Sequence, residues 1–415
     1  MKIKVYRGTQ EIGGTCVQII ADNGKILWID IGLPLSKENA NTDYVENKVD
    51  AILISHPHAD HSGLIEKIKR EVQVFIGQVG LDLLNATRIF RGLPNLNQNF
   101  QLIYAWKTFT ISDTFKVTPY LTDHSTPESF AFLIEADGKR VFYSGDFRAT
   151  GRKAKLFDAM LQNPLNNIDI LLTEGTMVER DNHKYSTEVE VEAAMEAVIR
   201  KQTSSTFVIS SAQNIDRFIS VFKACRNSNK KLIIDPYAAY VLEMVRKVSK
   251  SIPGMDWEEI KVFEHPGMMN KVTATLFDDF SRKIKLNRIG NEQFANPSNY
   301  VYFVRCPNEK LVEKLKKAGR VTIIYSQWEG YLKKENSNYC SDYLNQLKHD
   351  EEVDFLTIHT SGHATVDDLT KFAKALNPKL LIPIHTQYPE LMKAKLESSG
   401  VKHIELWEDN IDYTV

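Results

Sequence analysis

"AILISHPHADHSGLI", residues 51–65, runs from an apolar, β-branched stretch straight into three histidines and an aspartate within six positions. Neutral imidazole and carboxylate are the ligands of zinc and similar ions, and a loop leaving a buried strand aims neighbouring side chains at a common point. The extended start directs His56 and His58 to one ion, and the turn through Asp60 and His61 serves a second. The plain alternative is a surface loop that happens to be rich in histidine. Four potential ligands at one strand end exceed what chance spacing provides.

Two adjacent metals need more ligands, and comparable strand ends supply them. His124 follows "FKVTPYLTD", Asp146 follows "RVFYSG" and His385 follows "KLLIPI". Alone, each has an ordinary reading: loop histidines for His124 and His385, a turn former for Asp146. With the cluster requiring partners, five histidines and two aspartates suit two ions ~3.5–4 Å apart, with Asp146 as the bridge. Such a pair lowers the pKa of a bridging water and clamps the attacking and leaving oxygens, so hydrolysis is its natural use.

The chain has 415 residues, 43% of them hydrophobic and 25% charged, an ordinary globular composition. At ~100–200 residues per domain this suggests two or three units. A formal net charge of -1 excludes nucleic-acid binding through bulk positive charge and leaves a local basic groove open. The segment "MKIKVYRGTQEIGG" carries no apolar core of signal-peptide length, and no apolar run is long enough to span a membrane, so a cytoplasmic address is expected. Cys16, Cys225, Cys306 and Cys340 lie far apart without CxxC pairing and read as reduced, structural cysteines.

Up to about residue 175 the chain reads as short strands, "KIKVYRG", "TCVQIIAD", "KILWIDIG", "AILIS", "FKVTPYLT", "SFAFLIEA", "RVFYSGD" and "IDILLTEG", with helical patches such as "HSGLIEKIKREV". From "STEVEVEAAMEAVIRKQ" onward strand and helix alternate, a parallel βα signature. The tail "VDFLTIHTSGHA", "DDLTKFAKALN", "KLLIPIHTQ", "HIELWED" returns to strands with one helix between. The expected division is a strand-rich domain at 1–180, an inserted α/β domain at 181–352 and completion of the first at 353–415. Charge-rich pieces such as "KLKKAGR" are solvated helix faces.

The HxHxDH block, His124, Asp146 in "YSGDFR", the distal His385 and Asp30 in "WIDIGLP" together resemble, in order, the motifs of the metallo-β-lactamase superfamily. That resemblance implies an αββα sandwich with the metals at one edge of its two sheets, and makes Asp30 a support of the ligand loop instead of a ligand. Glu174 in "LLTEG", His363 in "HTSGHA" and His385 in "PIHT", with the long insertion, resemble motifs A, B and C of the β-CASP nucleases, the group containing RNase J and the endonuclease of mRNA 3′-end processing. "SAQNIDRF" is similar to a segment of RNase J. The implied fold is α/β: an αββα metallo-β-lactamase sandwich with an inserted parallel α/β (β-CASP) domain. Histidine at the third motif marks the RNA-processing members of the family, whereas the DNA-repair members carry valine there. "TEGT" is closer to the 3′-processing type than to RNase J, which leaves endonuclease and exonuclease action both open. The chain opens on the first strand and closes after "WEDNIDYTV", without KH domains or the C-terminal domain of bacterial RNase J, so a homodimer and a protein complex are both open.

The resemblance implies a metal-dependent ribonuclease with two Zn²⁺ (or Mn²⁺) acting on single-stranded RNA, leaving 5′-phosphate and 3′-hydroxyl ends. Asp60 orients the hydroxide as well as ligating. His363, held by Glu174, protonates the leaving group or binds the scissile phosphate, and the carboxylate raises its pKa. Ser211, Asn214 and Arg217 near a helix N-terminus, with Ser361, are expected at phosphate; ordinary helix capping by Ser or Asn is the equal alternative. A DNA nuclease and a small-molecule ester or thioester hydrolase of the same fold are the rival activities, and a catalytically silent scaffold is the rival without one.

Overall fold

In a strand, successive side chains point to opposite faces, so a run that is apolar at every position must be covered on both sides. "FAFLI" (130–134) is such a run. In the computed structural model, which describes residues 1–35, 41–180, 184–264, 266–275, 278–336 and 338–415, Phe130, Phe132 and Ile134 enter one apolar core and Ala131 and Leu133 another. The chain divides into two units: Met1–Leu84 with Leu96–Asp181 and Gly362–Val415, and Asn85–Asn95 with Asn182–Ser361.

The first unit is a two-sheet sandwich. One sheet holds β1 (Lys2–Arg7), β2 (Cys16–Ile20), β3 (Ile26–Ile29), β4 (Ala51–Leu53), β5 (Gln73–Gly77) and β6 (Asn99–Ile103) in that order. It is antiparallel to β3 and parallel beyond it. The other runs from β7 (Phe109–Ile111) through β8 (Phe115–Leu121), β9 (Phe130–Ala136) and β10 (Lys139–Tyr143) to β11 (Ile170–Glu174). Their facing sides share a core: Val5, Val17, Ile29 and Leu53 from the first, Val117, Phe132, Tyr143 and Leu172 from the second. Each fully buried side chain of this kind is worth about 1.5–3 kcal/mol. Outside the second sheet, Phe142 and Leu171 pack on Phe157, Phe372 and Leu396 of three helices. Outside the first, Trp28, Ile52 and Val74 pack on Leu64, Ile65 and Ile68 and, with them, on Leu81 and Leu84 of the helix that begins at Gln78. The layers are therefore α, β, β and α.

The inserted unit holds β12 (Thr206–Ile209), β13 (Lys231–Ile234), β14 (Ile260–Val262), β15 (Tyr300–Val304), β16 (Val321–Tyr325) and β17 (Val353–Thr357). All pairings are parallel, in the order β14-β13-β15-β12-β16-β17. The boundary expected at 353 therefore moves: β17 closes this sheet beside β16, and the return to the sandwich falls at Gly362. β18 (Leu380–Ile384) then pairs with β11 and β19 (Asp412–Thr414) with β1.

Other departures are local. "HSGLIEKIKREV" is not one helix but a short turn at Ala59–Ser62 and a 3-10 turn at Ile65–Lys67. "HIELWED" contributes one isolated bridge, Leu381 to Ile404, instead of a strand, and a second helix, Pro389–Ser398, joins the tail. Among the described residues no helix is long and apolar enough to cross a membrane.

Candidate metal centre

All seven ligand candidates belong to the sandwich unit and converge at strand ends. β4 stops at Leu53, and the chain delivers His56 and His58 in extended form before Asp60 and His61 enter the turn at Ala59–Ser62. His124 follows β8, Asp146 follows β10, and His385 follows β18. Backbone bonds lock this loop to the one after β3, Ile31 N–H to His61 O at 2.8 Å and Leu33 N–H to Ala59 O at 2.7 Å, and to the residue before β2, Thr15 N–H to Asp60 O at 3.1 Å. Gly32 permits the approach, since a Cβ there would overlap the Asp60 carbonyl.

The Asp146 carboxylate divides the cluster in two. Its Oδ2 lies 3.6 Å from His56 Nε2 and 3.9 Å from His124 Nε2. His58 Nδ1 completes that group at 3.1 Å from His56 Nε2 and 3.2 Å from His124 Nε2. The other oxygen, Oδ1, lies 3.3 Å from His61 Nε2 and 3.9 Å from His385 Nε2. Asp60 Oδ2 joins that side, 3.7 Å from His385 Nε2. His61 Nε2, His385 Nε2 and both Asp146 oxygens are buried without an aligned hydrogen-bond partner. Buried polar atoms are rarely left so, and a nitrogen and oxygen set of this kind fits one or two divalent cations.

The outer bonds decide which ring nitrogens are left to ligate. Asp30 only accepts, so the 2.7 Å contact with its Oδ2 puts a proton on His61 Nδ1 and directs Nε2 inward. Asp30 also receives Ser55 N–H and Oγ–H, each at 2.7 Å, and the Tyr143 hydroxyl at 2.6 Å. His56 Nδ1 lies 3.0 Å from Ser55 Oγ. His124 Nδ1 donates to Gly362 O at 2.8 Å, and His385 Nδ1 meets Thr15 Oγ1 at 2.6 Å. Asp30 and His385 hold left-handed backbone conformations, φ 59° and 50°, the kind of local strain that gathers at functional sites. Thr15, Ser55 and Tyr143 are supporting residues that the sequence reading missed; only their partners across the sheets reveal them.

Charge follows the same division. Burial, then the neighbouring imidazoles, holds His56 well below its ordinary value; burial alone leads for His58, His124 and His385, which are lowered as well. Their rings are neutral and offer lone pairs. His61 goes the other way: burial opposes its proton, but Asp146 and Asp30 outweigh it and hold it well above. Burial disfavours the ionised Asp146 too, yet His61, His385 and His363 hold its carboxyl well below the usual range. Positive charge is favoured in the middle of the cluster.

Beside it, His363 Nδ1 lies 3.0 Å from Glu174 Oε2 and 3.7 Å from Asp146 Oδ2. Glu174 is fixed by the N–H groups of Phe147, Thr176 and Ala364 at 3.1, 3.3 and 3.4 Å. Burial works against protonation of His363, but Glu174 and Asp146 raise it to about 9. His363 and Asp60 retain 21% and 20% side-chain exposure against 2% or less for His56, His61, His124, Asp146 and His385. They therefore face the open side of the cluster.

The residues expected at phosphate in the inserted unit have other occupations. The Arg217 guanidinium is fully buried and bonds Glu188 Oε1 at 3.0 Å, Ser326 O at 2.8 Å and Thr360 O at 3.1 Å. It is a structural ion pair, and this corrects the expected anion contact. Asn214 caps helix Ile215–Asn227 through Arg217 N–H at 2.9 Å, the capping alternative. Ser361 is buried, and Ser211 alone of the four is exposed.

The chain is similar to known proteins. The profile described as a β-lactamase superfamily domain matches residues 32–209, and that of a Zn-dependent metallo-hydrolase RNA specificity domain matches 355–405. Ribonuclease J of Mycoplasma genitalium is 23% identical over 95% of this chain and 69% of its own. These matches support the resemblance to the β-CASP branch of the metallo-β-lactamase superfamily. Ribonuclease J 2 of Streptococcus pyogenes is a further relative, 24% identical over 88% of this chain and 64% of its own length. An RNase J-like protein of Methanocaldococcus jannaschii is 28% identical over 42% of each chain. A solved structure of a protein of unknown function from Enterococcus faecalis V583 shares the fold, with a TM-score of 0.76 at 17% identity, over 100% of this chain and 99% of that one.

Proposed function

We propose that the protein is a metal-dependent ribonuclease that hydrolyses phosphodiester bonds of single-stranded RNA, leaving 5′-phosphate and 3′-hydroxyl ends. The observation that carries this reading is the Asp146 carboxylate, whose two oxygens face two separate ligand sets with buried, unpaired atoms. His56, His58, His124 and Asp146 Oδ2 would hold one divalent cation, and Asp60, His61, His385 and Asp146 Oδ1 a second, zinc or manganese. Such a pair supplies, when bound, a water acidified towards neutrality and positive charge for a phosphate.

The remaining chemistry belongs to side chains. Glu174 holds His363 by Nδ1, which leaves Nε2 as the second donor of a ring that stays protonated through neutral pH. Breaking the P–O3′ bond requires a proton on the departing oxygen, and His363 supplies it or binds the scissile phosphate on the exposed side of the cluster. Asp60, the other exposed member, orients the attacking oxygen. The relatives named Ribonuclease J and the profile named for RNA specificity support RNA as the polymer.

The test is digestion of end-labelled single-stranded RNA and DNA of one sequence, each with 5′-monophosphate and 5′-hydroxyl ends, with Asp60→Ala as the blank. RNA cleavage that disappears in the blank and after chelation is expected, and the product ladder separates 5′-exonuclease from endonuclease action. Cleavage by metal-stripped protein would sink the mechanism, and preferential cleavage of DNA would overturn the substrate.

A further inference from the structure

Two of the four cysteines, distant in sequence, meet in the inserted unit. Cys306 follows the end of β15, and Cys340 lies in the first turn of helix Tyr339–Lys348. That turn is firmly built: Asn338 Oδ1 accepts from Cys340 N–H at 3.0 Å and Ser341 N–H at 3.2 Å, and Ser341 Oγ accepts from Asn338 N–H at 2.8 Å. The Cys340 thiol reaches Arg305 O at 3.5 Å, one peptide bond from Cys306. The two thiols lie close enough to act on each other. Both are half-buried, whereas Cys16 and Cys225 are buried.

The partners are not equivalent. The neighbouring Cys306 and the Arg305 charge hold the Cys340 thiol below the usual thiol range against the effect of burial; a helix first turn favours a thiolate there as well. Cys306 is pushed up by the Cys340 sulfur and by burial. One sulfur is poised to attack and the other to follow. A Cys340 sulfur 3.5 Å from the carbonyl that precedes Cys306 places the two residues near enough for their sulfurs to approach the ~2.05 Å of a disulfide.

We propose that Cys306 and Cys340 form a redox pair that a low-molecular-weight disulfide converts reversibly to an intrachain disulfide. The Cys340 thiolate attacks one sulfur of the small disulfide; that S–S bond breaks and its other half leaves as a thiolate, which takes a proton from solvent. Cys306, yielding its proton to solvent, then attacks the Cys340 sulfur and expels the second half. Two protein S–H bonds become one S–S bond while the small disulfide is reduced to two thiols.

The test treats the whole reduced chain with oxidised glutathione near neutral pH and follows intact mass and peptide maps. The expected product is lighter by two hydrogens, carries a Cys306–Cys340 cross-link, leaves Cys16 and Cys225 unmodified and reverts with dithiothreitol. Cys306→Ser should stop at a glutathionyl adduct on Cys340, and Cys340→Ser should slow modification of Cys306 by roughly tenfold or more, since reactivity follows thiolate character. Separate adducts on both cysteines without a cross-link would overturn the proposal. Equal rates in the two single variants, or reaction only together with Cys16 and Cys225, would overturn it too.

Discussion

In the sandwich unit, the Nε2 atoms of His61 and His385 and both oxygens of Asp146 are buried without an aligned partner. In the inserted unit, the equally buried guanidinium of Arg217 places its donors on Glu188, Ser326 and Thr360. Both clusters take charge out of water, which costs several kcal/mol per ion unless it is compensated. The Arg217 cluster carries its compensation within itself, as a cation facing a carboxylate. The histidine cluster converges neutral lone pairs and carboxylate oxygens on common points and raises His61, the one group that can supply positive charge between Asp146 and Asp30. A closed pair holds a fold together; an open donor set awaits a cation.

The sharpest way to break this contrast is Asp146→Asn. Because the carboxylate faces both ligand sets, metal content measured on the purified variant should fall for both ions and RNA cleavage should vanish; full metal retention would show that the two sets do not share it. Next in size is His363→Ala. Cleavage should drop ~10²–10⁴-fold with metal content unchanged, as expected for a lost general acid. The same variant sharpens the electrostatics of the metal-free chain. A pKa raised from 6.5 to about 9 contributes stability that is fully present below 6.5 and is lost as pH climbs through 9. The stability difference between wild type and variant in chemical denaturation should shrink across that window, and a difference that grows with pH would contradict it.

Arg217→Ala addresses the other cluster. It strands Glu188 in the interior, so the inserted unit should lose about 3–5 kcal/mol in urea unfolding while the metals stay bound. A variant that keeps its stability but loses RNA affinity would return Arg217 to the substrate. The smallest effect is expected at Asn214→Ala, about 1 kcal/mol from the lost cap of its helix; a drop in RNA binding without a change in stability would instead assign Asn214 to phosphate.

The sequence announces the ligands because metal chemistry uses few residue types and places them where apolar strands stop. His56, His58, Asp60 and His61 stand together, and His124, Asp146 and His385 each follow a recognisable strand. Thr15, Ser55 and Tyr143 are common residue types whose roles arise only through partners at the ends of other strands, so no local signal marks them. The error at Arg217 has the same origin. A helix start reading "NIDR" looks alike whether it meets a phosphate or a buried carboxylate, and only burial separates the two. In the fold, β5, β6, β7, β14 and β19 escaped notice: β7, β14 and β19 are three residues long, and β6 is polar at Asn99 and Gln101 and only partly buried. The misplaced boundary at 353 reflects β17, whose apolar pattern suits an edge of either unit's sheet.

Gly32 lies against the Asp60 carbonyl with no room for a single carbon more. In a saturation library this position would tolerate nothing, and by phenotype alone it would be ranked with the ligands although it carries no group able to bind metal or move a proton. Selection at such a site acts on emptiness: what is inherited there is the space that lets one loop lie against another.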